Sequence, residues 1–244
     1  MIPQSLPIIA LIANRQLTRE DVRNWELARA RKVARKLRVD PAGDLATLSE
    51  RLIDRKLELG HAGIERLLDR DLRLSAAVAR GGAMLSRRRR LSCTVALTSP
   101  TGSAEAIPAW YAQAIADNDE RSLLAACPDH YLSRTNPDGT QEIIETTGGA
   151  PVPVRMFFDD SNTSAVQAAA DPAFPVQWSS VAHSADGTAI GGVRHEFRDR
   201  PGDGFDVRLA IEFPLTTLPH MITAHRWHLA CEFSNWLEMI NHNS

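Results

Sequence analysis

Phe205-Asp206-Val207-Arg208-Leu209-Ala210-Ile211-Glu212-Phe213 places Phe205, Val207, Leu209, Ile211 and Phe213 on one face of a strand, with Asp206, Arg208 and Glu212 on the other. A few residues on, the period changes. From Pro219 to about Ile240 the chain reads as one uninterrupted helix, whose Ile222, Leu229, Phe233, Trp236, Leu237 and Ile240 gather on a single stripe. A half-buried strand followed by a long amphipathic helix sets a sheet face against that helix. The rest of the chain is read outward from this pair.

Upstream, two-residue alternation recurs over 130–136, 140–147, 153–159, 176–184 and 189–198. The turn pairs Asp138-Gly139, Gly148-Gly149, Asp186-Gly187 and Asp203-Gly204 punctuate these runs, as antiparallel hairpins require. Leu91–Leu97 is a further strand, closed by Ser99-Pro100-Thr101-Gly102, and 104–126 reads as helix broken near Asp117-Asn118-Asp119. A short helix is expected over 161–170.

The first third differs. Thr18 before Arg19-Glu20-Asp21 is an N-cap with acids in the first turn, followed by Val22, Trp25, Val33 and Leu37. Asp40-Pro41 interrupts it. Two more apolar stripes run from Leu45 to Gly60 and from Ile64 to Gly81-Gly82. Three helices of a small bundle are expected before residue 86, with the apolar arm Leu6–Ala13 packed on the body of the protein or on a second subunit. The charge divides in the same place. Residues 1–100 hold 20 Lys plus Arg against 11 Asp plus Glu, and residues 101–244 hold 8 against 19, so a net charge of −2 hides a basic and an acidic half. The expected domains are therefore a basic helical region, 1–90, and an acidic α+β ligand-cavity domain, 91–244. The fold class is α+β: an N-terminal helical bundle, then a curved antiparallel sheet packed on a long C-terminal helix.

This element order is similar to the helix-grip arrangement of START/Bet v 1-like proteins, in which a curved sheet wraps the last helix around a ligand cavity. Ile107-Pro108-Ala109-Trp110-Tyr111-Ala112-Gln113-Ala114-Ile115-Ala116 followed by Asp117-Asn118-Asp119 also resembles the opening helix of NTF2-like proteins, which include the SnoaL-type polyketide cyclases. Both resemblances span about residues 91–240. They imply a pocket and assign no catalytic residue.

Alternation over 189–198 puts His195 with Val193 and Phe197, opposite Arg194, Glu196 and Arg198, so His195 faces the concave side as a candidate general acid or base. Tyr131, Glu145 or Asp159 would be its partner, and Tyr131, Trp178 and Trp227 are expected to shape the pocket. On the last helix, His225, His228 and Glu232 form a stripe roughly 90° from the apolar one, with spacings that suit one cation or a Glu-oriented histidine base. No His-Glu-x-x-His pattern is present. Asp159-Asp160 reads as turn capping, and Cys231 as packing.

Gly81-Gly82 and Gly191-Gly192 lack the strand-to-helix setting of a phosphate loop, so no ATP, NAD or other cofactor is expected. Arg87-Arg88-Arg89-Arg90 and the run Arg31 to Arg38 are the case for nucleic acid. A sequence pI near 6.4 and the lack of interleaved aromatics weigh against it. Three scattered cysteines (93, 127, 231) point to a reducing cytoplasm, and no stretch is long enough to span a bilayer. The expected function is binding of a small hydrophobic or aromatic ligand by a homo-oligomer, with non-redox lyase, isomerase or cyclase chemistry in the cavity. The alternative is a non-enzymatic regulator or scaffold whose basic arm binds a protein or nucleic acid.

Overall fold

The strands read from alternation form within a residue or two of their expected bounds in the computed structural model, which describes residues 6–161 and 163–242. They are β3 (Arg90–Ser99), β4 (His130–Thr135), β5 (Gln141–Glu145), β6 (Val154–Asp159), β7 (Val176–His183), β8 (Ala189–Asp199) and β9 (Phe205–Pro214). Two strands precede them: β1 (Ile9–Ile12) and β2 (Arg15–Thr18). All pair antiparallel in one open nine-stranded sheet of order β2-β1-β3-β9-β8-β7-β6-β5-β4.

The expectation of an all-helical first segment is thus corrected. Leu6–Ala13 supplies a strand, because Ala13 and Asn14 both take positive φ (48° and 64°) and fold β1 back as a tight hairpin. The first helix, α1 (Arg19–Leu37), starts as read: the Thr18 hydroxyl accepts from the Asp21 N–H at 3.2 Å, and the Asp21 carboxylate accepts from the Thr18 N–H at 2.9 Å. The next two expected helices are the arms of α2 (Leu45–Ser86), kinked where Gly60 adopts φ 57°, and the second arm runs on through Gly81-Gly82. The acidic half contributes α3 (Ala106–Ala116), α4 (Glu120–Ala125) and α5 (Pro219–His242). Among the described residues of 161–170 the chain makes turns instead of the expected helix.

The path of α5 shows that the sheet curls. Cys93 on β3 reaches the Ile222 carbonyl at 3.5 Å, and His130 on β4 reaches His228 at 3.2 Å. The two anchor points on the helix are only ~9 Å apart at 1.5 Å per residue. Yet β3 and β4 lie six strands apart, ~29 Å across a flat sheet. The sheet must wrap α5 for both contacts to exist, and irregularities at His130/Leu132 and Ala182/His183 supply local bends.

Two large buried clusters, with a small third at Met156, Ala182 and Ile190, hold this frame. One joins Ile8, Ala10, Leu17 and Val22 to β3, β8, β9 and the Leu229/Phe233/Leu237 face of α5. The other joins Val33 and Leu37 of α1 and Leu48, Leu52, Ile64 and Leu68 of α2 to Tyr131, Leu132 and Ile144. Neither cluster respects the expected boundary near residue 90. The charge halves also meet inside the chain. Arg29 makes two hydrogen bonds, 2.6 and 2.8 Å, to fully buried Asp129, and Arg19 and Arg23 both pair with Glu238. Arg80 pairs with Asp186. Among the described residues no helix is long and apolar enough to cross a membrane.

Candidate functional site

On its hollow side the sheet leaves a cavity of about 460 Å³ between β5–β9, α5 and the second arm of α2. Its walls are apolar: Met156, Ala182, Ile190 and Val193 from the strands, Val78 and Ala79 from α2, with Tyr111, Trp178 and Trp236 closing one end. The alternation explains the strand contributions. Val193 pairs with Ile211 and His195 with Leu209, so one face of β8 and β9 points inward, as read.

His195 lies on that wall, 4% exposed, with Trp178 and Phe233 edge-on to its ring at 5.3 and 4.8 Å. Its Nδ1 is buried without a hydrogen-bond partner. Burial pulls its pKa down to about 3, which leaves a neutral imidazole at any physiological pH. With Nδ1 sealed and the ring neutral, it is poorly placed for proton transfer near neutral pH. None of the three partners considered for it is bonded to it. Asp159 instead accepts from the Ser161 N–H at 2.8 Å in a turn, as its capping reading expected.

Trp178 lines the cavity, paired across the strands with His195 and 4.4 Å from the Tyr111 ring. Tyr131 does not. The irregular pairing of β4 sets His130 opposite Glu145 and Leu132 opposite Ile144, so Tyr131 and Leu132 both pack under α1 and α2. Tyr111, one turn into the helix that carried the NTF2-like resemblance, takes the place expected of Tyr131. Trp227 packs half-buried against the first core cluster and is not among the cavity-lining residues.

The expected trio of His225, His228 and Glu232 is half assembled. His225 stacks flat on His228, 4.9 Å apart at 16°, so consecutive turns of α5 put these rings in parallel rather than converging. Two residues of the sheet complete the site. Nε2 of His130 lies 3.2 Å from Nε2 of His228, 3.4 Å from Glu145 Oε2 and 3.6 Å from Glu232 Oε1. His228 Nε2 is 3.6 Å from Glu145 Oε2. His130 opens β4, Glu145 closes β5, and the loop after β5 reaches α5 because Gly148 has no side chain: a Cβ there would lie 2.4 Å from the His225 nitrogen. Glu145, His225, His228 and Glu232 line the cavity, and His130 stands behind them.

Their electrostatics are strongly divided. Burial lowers His130, but the Glu145 and Glu232 carboxylates outweigh it and raise its pKa to about 10. Burial raises Glu145, and the facing His228 and His130 imidazoles more than reverse this, holding it at about 2. Glu232 is raised to about 7, by burial first, with His130 opposing and Glu145 adding. Burial keeps His228 well below its usual range and His225 near 4. The cluster is therefore an ion pair beside a carboxyl poised near neutrality, the kind of divergence that marks functional sites.

His130 and Glu145 were missing from the expected ligand trio because neither is near α5 in sequence. The available hint was Cys127-Pro128-Asp129-His130, three ligand-type residues at the mouth of a strand. Asp129 is committed to Arg29, and Cys127 Sγ sits 3.6 Å from His228 Nδ1. Compared with known proteins, the chain matches no described family and no curated protein.

Proposed function

We propose that the protein binds a small, largely apolar molecule in the curled-sheet cavity and performs non-redox lyase, isomerase or cyclase chemistry at its polar end, against the His130–Glu145–His228–Glu232 cluster. The observation that carries this reading is the meeting of apolar walls with four titratable groups on one side of the same space. Gln141 Oε1, Ser180 Oγ, His195 Nδ1, His225 Nδ1 and Trp236 Nε1 belong to residues of the cavity wall and are buried without hydrogen-bond partners. Buried polar groups are rarely left so, and these atoms expose almost no surface even to the cavity, so a ligand would partner them only where the wall side chains turn toward it. The helix-gripping order of the sheet supports the same reading, and three free thiols at Cys93, Cys127 and Cys231 favour a reducing compartment such as the cytoplasm.

The test is displacement of 1-anilinonaphthalene-8-sulfonate by a panel of small aromatic and alicyclic carbonyl compounds. Val193→Phe, which fills the cavity from β8, is expected to weaken dye binding at least tenfold with little change in melting temperature. Equal dye binding by the wild type and this variant would reject the cavity as the binding site.

A further inference from the structure

We infer that His130, His228, Glu145 and Glu232 form a binding site for one divalent first-row transition ion of the zinc class, set in the cavity wall. The inference names what would hold the polar end of the bound molecule in the function proposed above, and it can be tested on the protein alone. Four nitrogen and oxygen atoms face one another at 3.2, 3.4, 3.6 and 3.6 Å. Four ligands at ~2.0–2.2 Å from one tetrahedral ion are separated by about 3.3–3.6 Å, and four of the six separations such a site needs have these lengths, with His130, His228 and Glu232 offering atoms all within 4.8 Å of one another.

Proton placement is the second, independent argument. His130 Nδ1 lies 3.2 Å from the Leu123 carbonyl oxygen, which only accepts, so Nδ1 carries a hydrogen. Without an ion Nε2 carries the second proton of the ion pair, and binding a metal would release it and leave a lone pair there. Nε2 faces another imidazole nitrogen and two carboxylate oxygens, all buried or nearly so. A proton on Nε2 can be directed at one of these acceptors, whereas a cation at their centre satisfies all four. The Nδ1–H to carbonyl bond is also the usual outer support of a metal-bound histidine, and Cys127 Sγ lies 3.6 Å from Nδ1 on the far side of the His228 ring.

Two carboxylates and two imidazoles suit zinc, manganese or iron(II) rather than magnesium, which prefers oxygen and an octahedron. With the carboxylates ionised, the pair of negative charges balances a divalent ion, so the buried site becomes neutral. The competing trio of Cys127, Asp129 and His228 is closed by geometry, since Arg29 engages both carboxylate oxygens of Asp129.

The experiment strips the full chain with chelator and titrates it with Zn2+ by calorimetry and Co2+ by visible absorption. One Zn2+ per chain is expected, and at about 100 Kd of free ion the melting temperature should rise by roughly 5–10 °C. Cobalt should give the d–d bands of a four- or five-coordinate N/O site without a thiolate charge-transfer band. Glu232→Gln and His130→Gln should each weaken Zn2+ at least tenfold, while His225→Gln leaves it within threefold. Absence of stoichiometric Zn2+ binding, a thiolate band, or undiminished affinity in folded Glu232→Gln overturns the site. Wild-type cobalt spectra decide the matter even if the variants fail to fold. Ion binding without dye displacement would keep this site and reject the small-molecule reading; dye displacement without ion binding would do the reverse.

Discussion

The sheet has two halves that obey the same alternation and end differently. Beneath β3 and the first half of β9, the inward Cys93, Val95, Leu97, Phe205, Val207 and Leu209 pack with Phe233 and Leu237 in one buried cluster. Beneath β5 to β8, the inward Met156, Ile190 and Val193 meet the cavity. The helix between them explains the difference. Its apolar stripe fills the first half, and the stripe bearing His225, His228 and Glu232 faces the second, where the second arm of α2 stands off as an outer wall. The packed half is built for stability. In the hollow half, stability is given up for a space with polar groups at its edge.

The sharpest way to break this comparison is Phe233→Ala. Phe233 is fully buried and edge-on to both His195 and Trp236, so its loss should cost about 4 kcal/mol in urea unfolding. A cost near zero would mean the filled half is not where the fold is held. Next is Asp129→Asn. Removing the acid from a bond to Arg29 at a fully buried position leaves an uncompensated guanidinium, at a cost of about 3 kcal/mol by the same measurement.

A pH series sharpens the hollow half. Because burial lowers the His195 pKa to about 3, the native state refuses a proton that the unfolded chain takes up below about 6.5. That stability is intact above pH 6.5 and is lost as the pH falls toward 3. Between pH 7 and 4 the wild type should lose about 3 kcal/mol more than His195→Phe; parallel pH curves would place His195 in contact with water. Smallest of all should be Val193→Ala on the cavity wall. It removes two methyl groups that already face a void, and it is expected to cost under about 1 kcal/mol. A loss equal to that of Phe233→Ala would show the cavity to be packed core.

The same contrast explains what was legible in the sequence. Strands β8 and β9 could be read because polar and apolar residues alternate along them, and α5 because its apolar stripe is continuous. β1 escaped notice, since Leu6–Ala13 is an unbroken apolar run and its turn, Ala13-Asn14, lacks the glycine that usually marks a tight hairpin. Gly60 ended a helix as read, whereas Gly81 and Gly82 are held in helical conformation within α2. At the site, period-two alternation set His195 on the inward face of β8 and period-3.6 arithmetic set His228 and Glu232 on one stripe of α5, and all three line the cavity. It could not find His130, because the bulge at Tyr131 reverses the faces of β4, and the partner of His130 lies 98 residues away. Such a pairing is set by topology, on which local pattern is silent.

The order of strands also sets a timetable for synthesis. β3 pairs with β9 along its whole length, from Arg90 opposite Pro214 to Ser99 opposite Phe205. Until the ribosome has released more than a hundred further residues, that edge of β3 has no partner, and its Cys93, Val95 and Leu97 have no helix to lie against. Pairings this distant in sequence form slowly, and open edges invite association with other chains. Chains cut short before residue 205 should therefore collect in aggregates or on chaperones, and the nascent protein depends on reaching its last helix before it meets a neighbour.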